Sequence, residues 1–264
     1  MIDTARPSRG RASFHAIASL LLTTLLVAAG AATASAQDAP EPELTWAPLV
    51  TLPPLVEPPV FSPTEPTDGF TLGEADAPVA IEVWEDFQCP FCQRFTFQIK
   101  PGIVEEYVET GKARLTFRNL AFLGDESHWA AVAASLAADQ DKFWPFHDYL
   151  FANLLGENVG SFSLDRLLAI GEAAGLDMDE FKAGLTLDKA RERFAQIDAE
   201  ARQDAGALGI SSTPTVTIDG VPLEVRDFES VAVAIDAAVA AADSAQDGED
   251  AAASAEPEAS PAGE

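Results

Sequence analysis

Cys89-Pro90-Phe91-Cys92 contains both cysteines of the chain and follows closely on a nearly unbroken apolar run, Val79-Ala80-Ile81-Glu82-Val83-Trp84. Such a run reads as a buried strand, so the two thiols fall where a strand passes into a helix. Two thiols at that spacing can close and reopen a bridge with little backbone movement, and no other thiol competes for them. As a staple the bridge would be poor: so small a ring gains about 2 kcal/mol by loop entropy, less than the longer loops that structural disulfides close. Zinc ribbons also use Cys-x-x-Cys, but structural zinc needs four ligands and a second pair is missing. No metal and no cofactor is expected. The pair reads as one built to exchange disulfides.

The pattern downstream supports one α/β domain over residues 69–242. A helix starting near Cys89 runs through Phe95, Ile99 and Val104, with Pro101 expected to kink it and Gly111 to end it. Arg114 to Arg118 alternates as a second strand. A long helical block follows, with apolar stripes at Trp129, Val132, Ala133 and Leu136, then Phe143, Phe146, Leu150, Phe151 and Leu154, then Leu164, Leu167 and Leu168. Asp177 with Glu180 resembles a capping box, and Leu187, Ala190, Phe194, Ile197 and Ala201 mark one face of a further amphipathic helix. Thr215 to Ile218, the turn Asp219-Gly220 and Val221 to Val225 read as a hairpin whose second strand, carrying Pro222, lies at an edge. Asp227 would cap a last helix that turns Val231, Ala234, Ile235 and Ala238 inward.

The ends differ from this middle. Arg6, Arg9 and Arg11 precede an apolar stretch from Ala16 to Ala32, and Ala34-Ser35-Ala36 offers small residues before Gln37, so residues 1–36 read as an export signal. The alternative is an uncleaved membrane anchor, which Ser19, Thr23, Thr24 and Gly30 weaken. Residues 37–68 hold a dense series of prolines and read as an extended, acidic linker. Residues 243–264 form an acidic, Ala-rich tail that need not fold. The net charge of −27 argues against a nucleic-acid partner. Export would place the protein in the periplasm or another extracytoplasmic space, where a dithiol pair can be held oxidised.

The order strand, helix, strand, helical block, hairpin, helix resembles the DsbA-like branch of the thioredoxin superfamily. The specific stretches are Asp86-Phe87-Gln88-Cys89-Pro90-Phe91-Cys92, Lys142-Phe143-Trp144-Pro145-Phe146-His147-Asp148, and Leu208-Gly209-Ile210 leading to Thr213-Pro214-Thr215. The resemblance implies an α/β, thioredoxin-like fold with an inserted helical block at about 124–206. It also implies a thiol-disulfide oxidoreductase in which Cys89 attacks and Cys92 resolves, Pro90 and Phe91 flank them, and Thr213-Pro214 forms a cis-proline loop that guides substrate. Phe91 stands where the best-known DsbA proteins have a histidine. Many thioredoxin-fold enzymes bury an acid six residues before the first cysteine, and Val83 is there. The residues leave open where Glu82, Glu85 and Asp86 point; a carboxylate facing the Cys89 thiolate would raise its pKa.

The expected function is oxidation of cysteine pairs in exported proteins, with a membrane quinone-linked oxidase to restore the disulfide. A reductase or isomerase, or a peptide-binding chaperone without redox turnover, remain alternatives. His128 and His147 have no partner at metal-ligand spacing and read as structural or surface groups. Gly175 reads as a helix end and Gly171 as merely tolerated inside a helix. Trp46 and Trp84 read as linker and packing residues.

Overall fold

A computed structural model describes residues 52–59 and 69–254. The export signal, most of the proline-rich stretch with Trp46, and the last residues of the tail lie outside the described residues.

The central strand β2 (Val79–Glu85) runs parallel to β3 (Ala113–Asn119) and antiparallel to β4 (Thr215–Ile218). A two-residue strand β1 (Thr71–Leu72) pairs with β3, and β5 (Val221–Leu223) with β4, giving the order β1-β3-β2-β4-β5. Pro222 therefore sits on an edge strand, where its missing N–H costs no ladder bond. Strand β1 is too short to show a period in sequence. It is held by Phe117 N donating to Phe70 O and by a hydroxyl pair, Thr71 and Thr116, at 2.9 Å.

Helix α1 (Pro90–Gln98) begins directly after Cys89, with Pro90 at the first position, where no N–H is needed. It breaks at Ile99, because Pro101 offers no hydrogen to the turn before it. A short helix α2 (Lys100–Ile103) resumes, then a wider-wound stretch, Val104–Val108, in which Glu109 N donates to Val104 O. The helical block comprises α3 (Asp125–Ala138), α4 (Phe143–Ala152), α5 (Leu164–Ala173), α6 (Met178–Gly184) and α7 (Leu187–Leu208). Phe87, Phe117, Phe143 and Phe151 pack against one another and against the His147 ring, joining sheet to block. Each fully buried ring contributes about 1.5–3 kcal/mol of apolar burial.

Several expectations are corrected. Gly171 is required, since a Cβ there would stand 2.8 Å from Phe181 Cε1 where α5 meets α6. The α6 cap is shared: Asp177 Oδ1 accepts from Asp179 N and Glu180 N, while Asp177 N donates to Gln140 Oε1 instead of to Glu180. The stripe expected on α7 is only partly covered, and Leu187 is 51% exposed. Residues 52–59, within the stretch read as a spacer, lie on the helical block. There the Asn153 amide pairs with both Val56 N and Val56 O, as a strand would, and Arg166 Nη1 donates to Pro53 O. The last helix α8 (Phe228–Ser254) runs past the boundary expected at 242, because alanine is the strongest helix former.

Candidate active site

Cys89 occupies the N-cap position of α1 with extended backbone, so its sulfur sits at the helix end where backbone N–H groups are unpaired. Cys92 N donates to Cys89 Sγ at 3.4 Å. On the other side Cys89 Sγ lies 3.4 Å from Thr213 O. The Thr213-Pro214 bond is cis. Strand pairing explains how residues so far apart in sequence meet: Trp84 at the end of β2 pairs with Thr215, the residue after Pro214, so the loop is drawn alongside the Cys89 turn. The structure thus brings together Cys89, Cys92, Thr213 and Pro214, with Phe91 62% exposed beside them.

These surroundings lower the Cys89 pKa from 9.0 to about 6. The largest influence is the hydrogen bond with the Cys92 side chain. Burial works against ionisation, and Thr213 with the backbone N–H groups of Cys92 and Phe91 add to the lowering. At pH 7 about nine-tenths of Cys89 is then thiolate, against about one part in a hundred for an ordinary thiol. Cys92, fully buried, is pushed the other way. Desolvation raises its pKa well above 9.0, and Cys89 and the charge of Glu85 raise it further. One sulfur is a ready nucleophile and leaving group; its neighbour is held as a thiol.

The three acidic residues before the motif separate cleanly. Glu82 faces away, accepting from Arg118 Nε at 2.7 Å and Thr217 Oγ1 at 3.0 Å. Asp86 is fully buried and accepts from four donors: Gln88 N, Ser127 Oγ, Phe122 N and Leu123 N. Glu85, 1% exposed, shares the face of Val83 one pleat further along β2 and is the carboxylate that acts on Cys92. His147, read from sequence as structural or surface, is wholly buried, with Nε2 3.1 Å from Glu85 Oε2 and Nδ1 2.8 Å from Asp148 Oδ1. Asp148 is in turn paired with buried Lys100.

Sequence reasoning missed a second group. The Gln88 side chain turns inward, donating to Ser127 Oγ at 2.9 Å and accepting from Asn158 N at 2.6 Å. Together with Asp86 it ties the cysteine turn to two loops that carry the exposed side chains Phe122, Leu155 and Val159. The only sequence hint was the acid beside the motif, because Ser127 and Asn158 lie far along the chain. The result is a sulfur of lowered pKa lying against the backbone of a cis-proline loop, an arrangement able to receive an extended peptide.

A family model described as "Thioredoxin" matches residues 65–237. A probable disulfide bond formation protein D from Bacillus cereus is 32% identical over 170 residues, 63% of this chain and 76% of that protein. The crystal structure of oxidised BdbD from Bacillus subtilis shares the fold, with a TM-score of 0.59, 23% identity, and coverage of 68% of this chain and 98% of that one. Chlamydia trachomatis DsbA does so with a TM-score of 0.55, 21% identity, and coverage of 67% and 95%. The chain belongs to the thioredoxin family, in its DsbA-like branch of thiol-disulfide oxidoreductases.

Proposed function

We propose that the protein oxidises cysteine pairs of exported proteins outside the cytoplasm, with Cys89 as the sulfur that substrate attacks and Cys92 as the resolving partner. The observation that carries this reading is the lowering of Cys89 to about 6 at the start of α1. Stabilising that thiolate stabilises the reduced enzyme, which makes the disulfide form a stronger oxidant. A substrate thiolate attacks Cys89 Sγ and the Cys89-Cys92 bond breaks. The substrate's second thiolate then displaces Cys89 and leaves with the new disulfide. Thr213 and Pro214 line the peptide's path, and Pro90 starts the helix that activates the sulfur. The export pattern of residues 1–36 supports an extracytoplasmic site of action, and a membrane quinone-linked oxidase is the chemistry that would restore the disulfide. No helix among the described residues is long and apolar enough to cross a membrane.

The test is a redox titration of the purified protein against glutathione. An oxidase gives a potential well above that of thioredoxin; a value near thioredoxin's, about −270 mV, overturns the oxidase reading in favour of a reductase. Cys89→Ser abolishes dithiol oxidation under this reading, whereas a variant that loses oxidation yet still protects an unfolded client points to a chaperone.

A further inference from the structure

Residues 52–58 carry Pro53, Pro54 and Pro58, which hold the segment extended and out of any helix. An extended chain needs partners for its N–H and C=O groups, and side chains of the helical block supply them. Asn153, which ends α4, accepts from Val56 N at 2.8 Å and donates to Val56 O at 2.9 Å. Arg166 of α5 donates through Nη1 to Pro53 O at 2.8 Å and through Nη2 to Asn153 Oδ1 at 3.3 Å. Asn153 is 1% exposed and Arg166 8%, and the three oxygens that the guanidinium reaches, Pro53 O, Ser161 O and Asn153 Oδ1, are all uncharged. Burying a cation without a carboxylate is costly, so these oxygens, Pro53 O among them, are part of what keeps Arg166 in place.

The same arginine reaches the loop 154–162, its Nε donating to Ser161 O at 3.3 Å. Buried Ser161 closes that loop: its Oγ accepts from Leu155 N at 3.0 Å and donates to Gly156 O at 3.1 Å. Glu126 of α3 receives Gly160 N at 2.7 Å and Phe162 N at 2.8 Å. Leu52 covers the loop at Gly160, where a Cβ would stand 3.4 Å from Leu52 Cδ1. Within the loop Asn158 N donates to Gln88 Oε1 at 2.6 Å and Asn158 Nδ2 to Leu123 O at 2.8 Å. Gln88 is the residue before Cys89. Bonded contacts therefore run from Pro53 and Val56 through Arg166 and Ser161 to Asn158 and Gln88.

We propose that residues 52–58 form a strap that holds the 154–162 loop against the cysteine turn, and that Asn153 and Arg166 are positioning residues for exchange with peptide substrates, acting through that loop and Gln88. This rests on the redox reading above. The sulfur itself is set by contacts outside this chain of bonds, with Cys92 N and Thr213 O, so loosening the strap leaves Cys89 as reactive toward a small reagent as before. What it changes is the surface carried by the loop, from which Leu155 and Val159 project, 46% and 51% exposed. A peptide that covers several residues of that surface loses affinity, whereas a small thiol reaches the sulfur without it.

The experiment uses the full chain and follows single-turnover oxidation of a dithiol peptide by the disulfide form, which gives a half-saturating concentration and a limiting rate, beside iodoacetamide alkylation of reduced Cys89. Val56→Pro deletes the strap's N–H donor at an exposed position, and Arg166→Met deletes the donors to Pro53 O and Ser161 O. Each should raise the half-saturating concentration roughly threefold to tenfold, the range of coupling carried by packed networks, with limiting rate and alkylation held within about twofold. In a Gln88→Met background, where the link to the turn is already cut, Val56→Pro should raise it no further. An unchanged half-saturating concentration in both single variants overturns the proposal, as does an effect that simply adds to that of Gln88→Met, or an equal fall in alkylation. Should Arg166→Met fail to fold, Val56→Pro carries the kinetic test. The wild-type Val56 amide gives a second reading: it should exchange hydrogen on the order of a hundredfold more slowly than in a free peptide, and exchange at the free rate overturns the strap. A wild type that does not oxidise the peptide at all would instead defeat the redox reading itself, a result distinct from an active enzyme indifferent to its strap.

Discussion

On one face of β2, Val83 and Glu85 lie against α1 and α4, and seven of the ten α4 residues are buried; on the other, Glu82 and Trp84 look toward α7, which buries only Ala190 and Ala205 of its 22 residues. Between α7, α3 and the sheet a cleft of about 290 Å³ remains, floored by Trp84, Phe117 and Asn119. The sulfur chemistry sits on the dense face. A pair of thiols set apart by an N-cap hydrogen bond on Cys89 and a buried carboxylate near Cys92 needs neighbours that do not shift, and close-packed rings supply that rigidity. The open face carries α7 to Gly209, whose left-handed φ of 70° turns the chain toward the Thr213-Pro214 loop. The Thr213-Pro214 loop is thus hung from the looser half of the molecule.

The contrast breaks most readily on the dense face. Phe151 is wholly buried and touches both the Phe87 and His147 rings, so Phe151→Ala should cost about 3–5 kcal/mol in urea unfolding, with the slope of the transition unchanged. A loss below about 1 kcal/mol would mean the face is not packed as described.

The next effect is one of pH. Cys89 titrates near 6 in the folded dithiol form against 9.0 for an ordinary thiol. A depressed folded pKa adds stability that is complete above the unfolded value and is lost as pH falls through the folded one, so the window is pH 9 down to 6. Cys92, raised well above 9.0, stays a thiol when folded while its unfolded counterpart begins to ionise near 9, but Cys89→Ala retains Cys92, so this contribution cancels in the comparison. The melting temperature of reduced wild type relative to Cys89→Ala should fall steadily from pH 9 to pH 6 and level off below; a flat difference would show that the thiolate is not stabilised by the fold.

How much of this was legible in sequence follows from which interactions are local. The cysteine turn, its strand and the proline-opened hairpin are encoded within a few residues each, and the β2 alternation already put Glu85 on the face of Val83, a parity that could have singled it out. The buried pairing of His147 was invisible because Glu85, and the Lys100 that pairs with Asp148, come from other elements, and an isolated histidine beside aromatic residues looks like core. Gln88 and Asn158 were hidden for the same reason. On α7 the apolar period was correctly seen, but period alone does not say how much facing surface exists; α3 covers Ala190 and Phe194 but presents small residues further along, Ala131, Ala134 and Ser135, and leaves part of the stripe uncovered.

A smaller effect tests close approach within the helical block. Gly171→Ala places a methyl 2.8 Å from Phe181 Cε1, 3.0 Å from Phe181 Cδ1 and 3.3 Å from Leu176 Cδ1, so a rigid, fully buried ring must move. Overpacking of this kind should cost about 1–3 kcal/mol by chemical denaturation, without altering Cys89 alkylation, since the contact lies away from the sulfur.

The smallest effect belongs to the open face and bears most directly on the contrast. Leu187 begins α7 with half its surface in water, so burial there contributes little. Leu187→Gln should change unfolding stability by no more than about 0.5 kcal/mol, the range of ordinary surface substitutions. The same exchange at Leu150 on α4, wholly buried, removes a packed side chain and buries an amide without a partner, and should cost several times as much. If Leu187→Gln instead cost more than about 1 kcal/mol, α7 would have to close onto α3 in solution more tightly than its exposed stripe allows. The Thr213-Pro214 loop would then hang from a helix as firmly seated as α4, and the idea of a rigid sulfur facing a more loosely held substrate guide would fail.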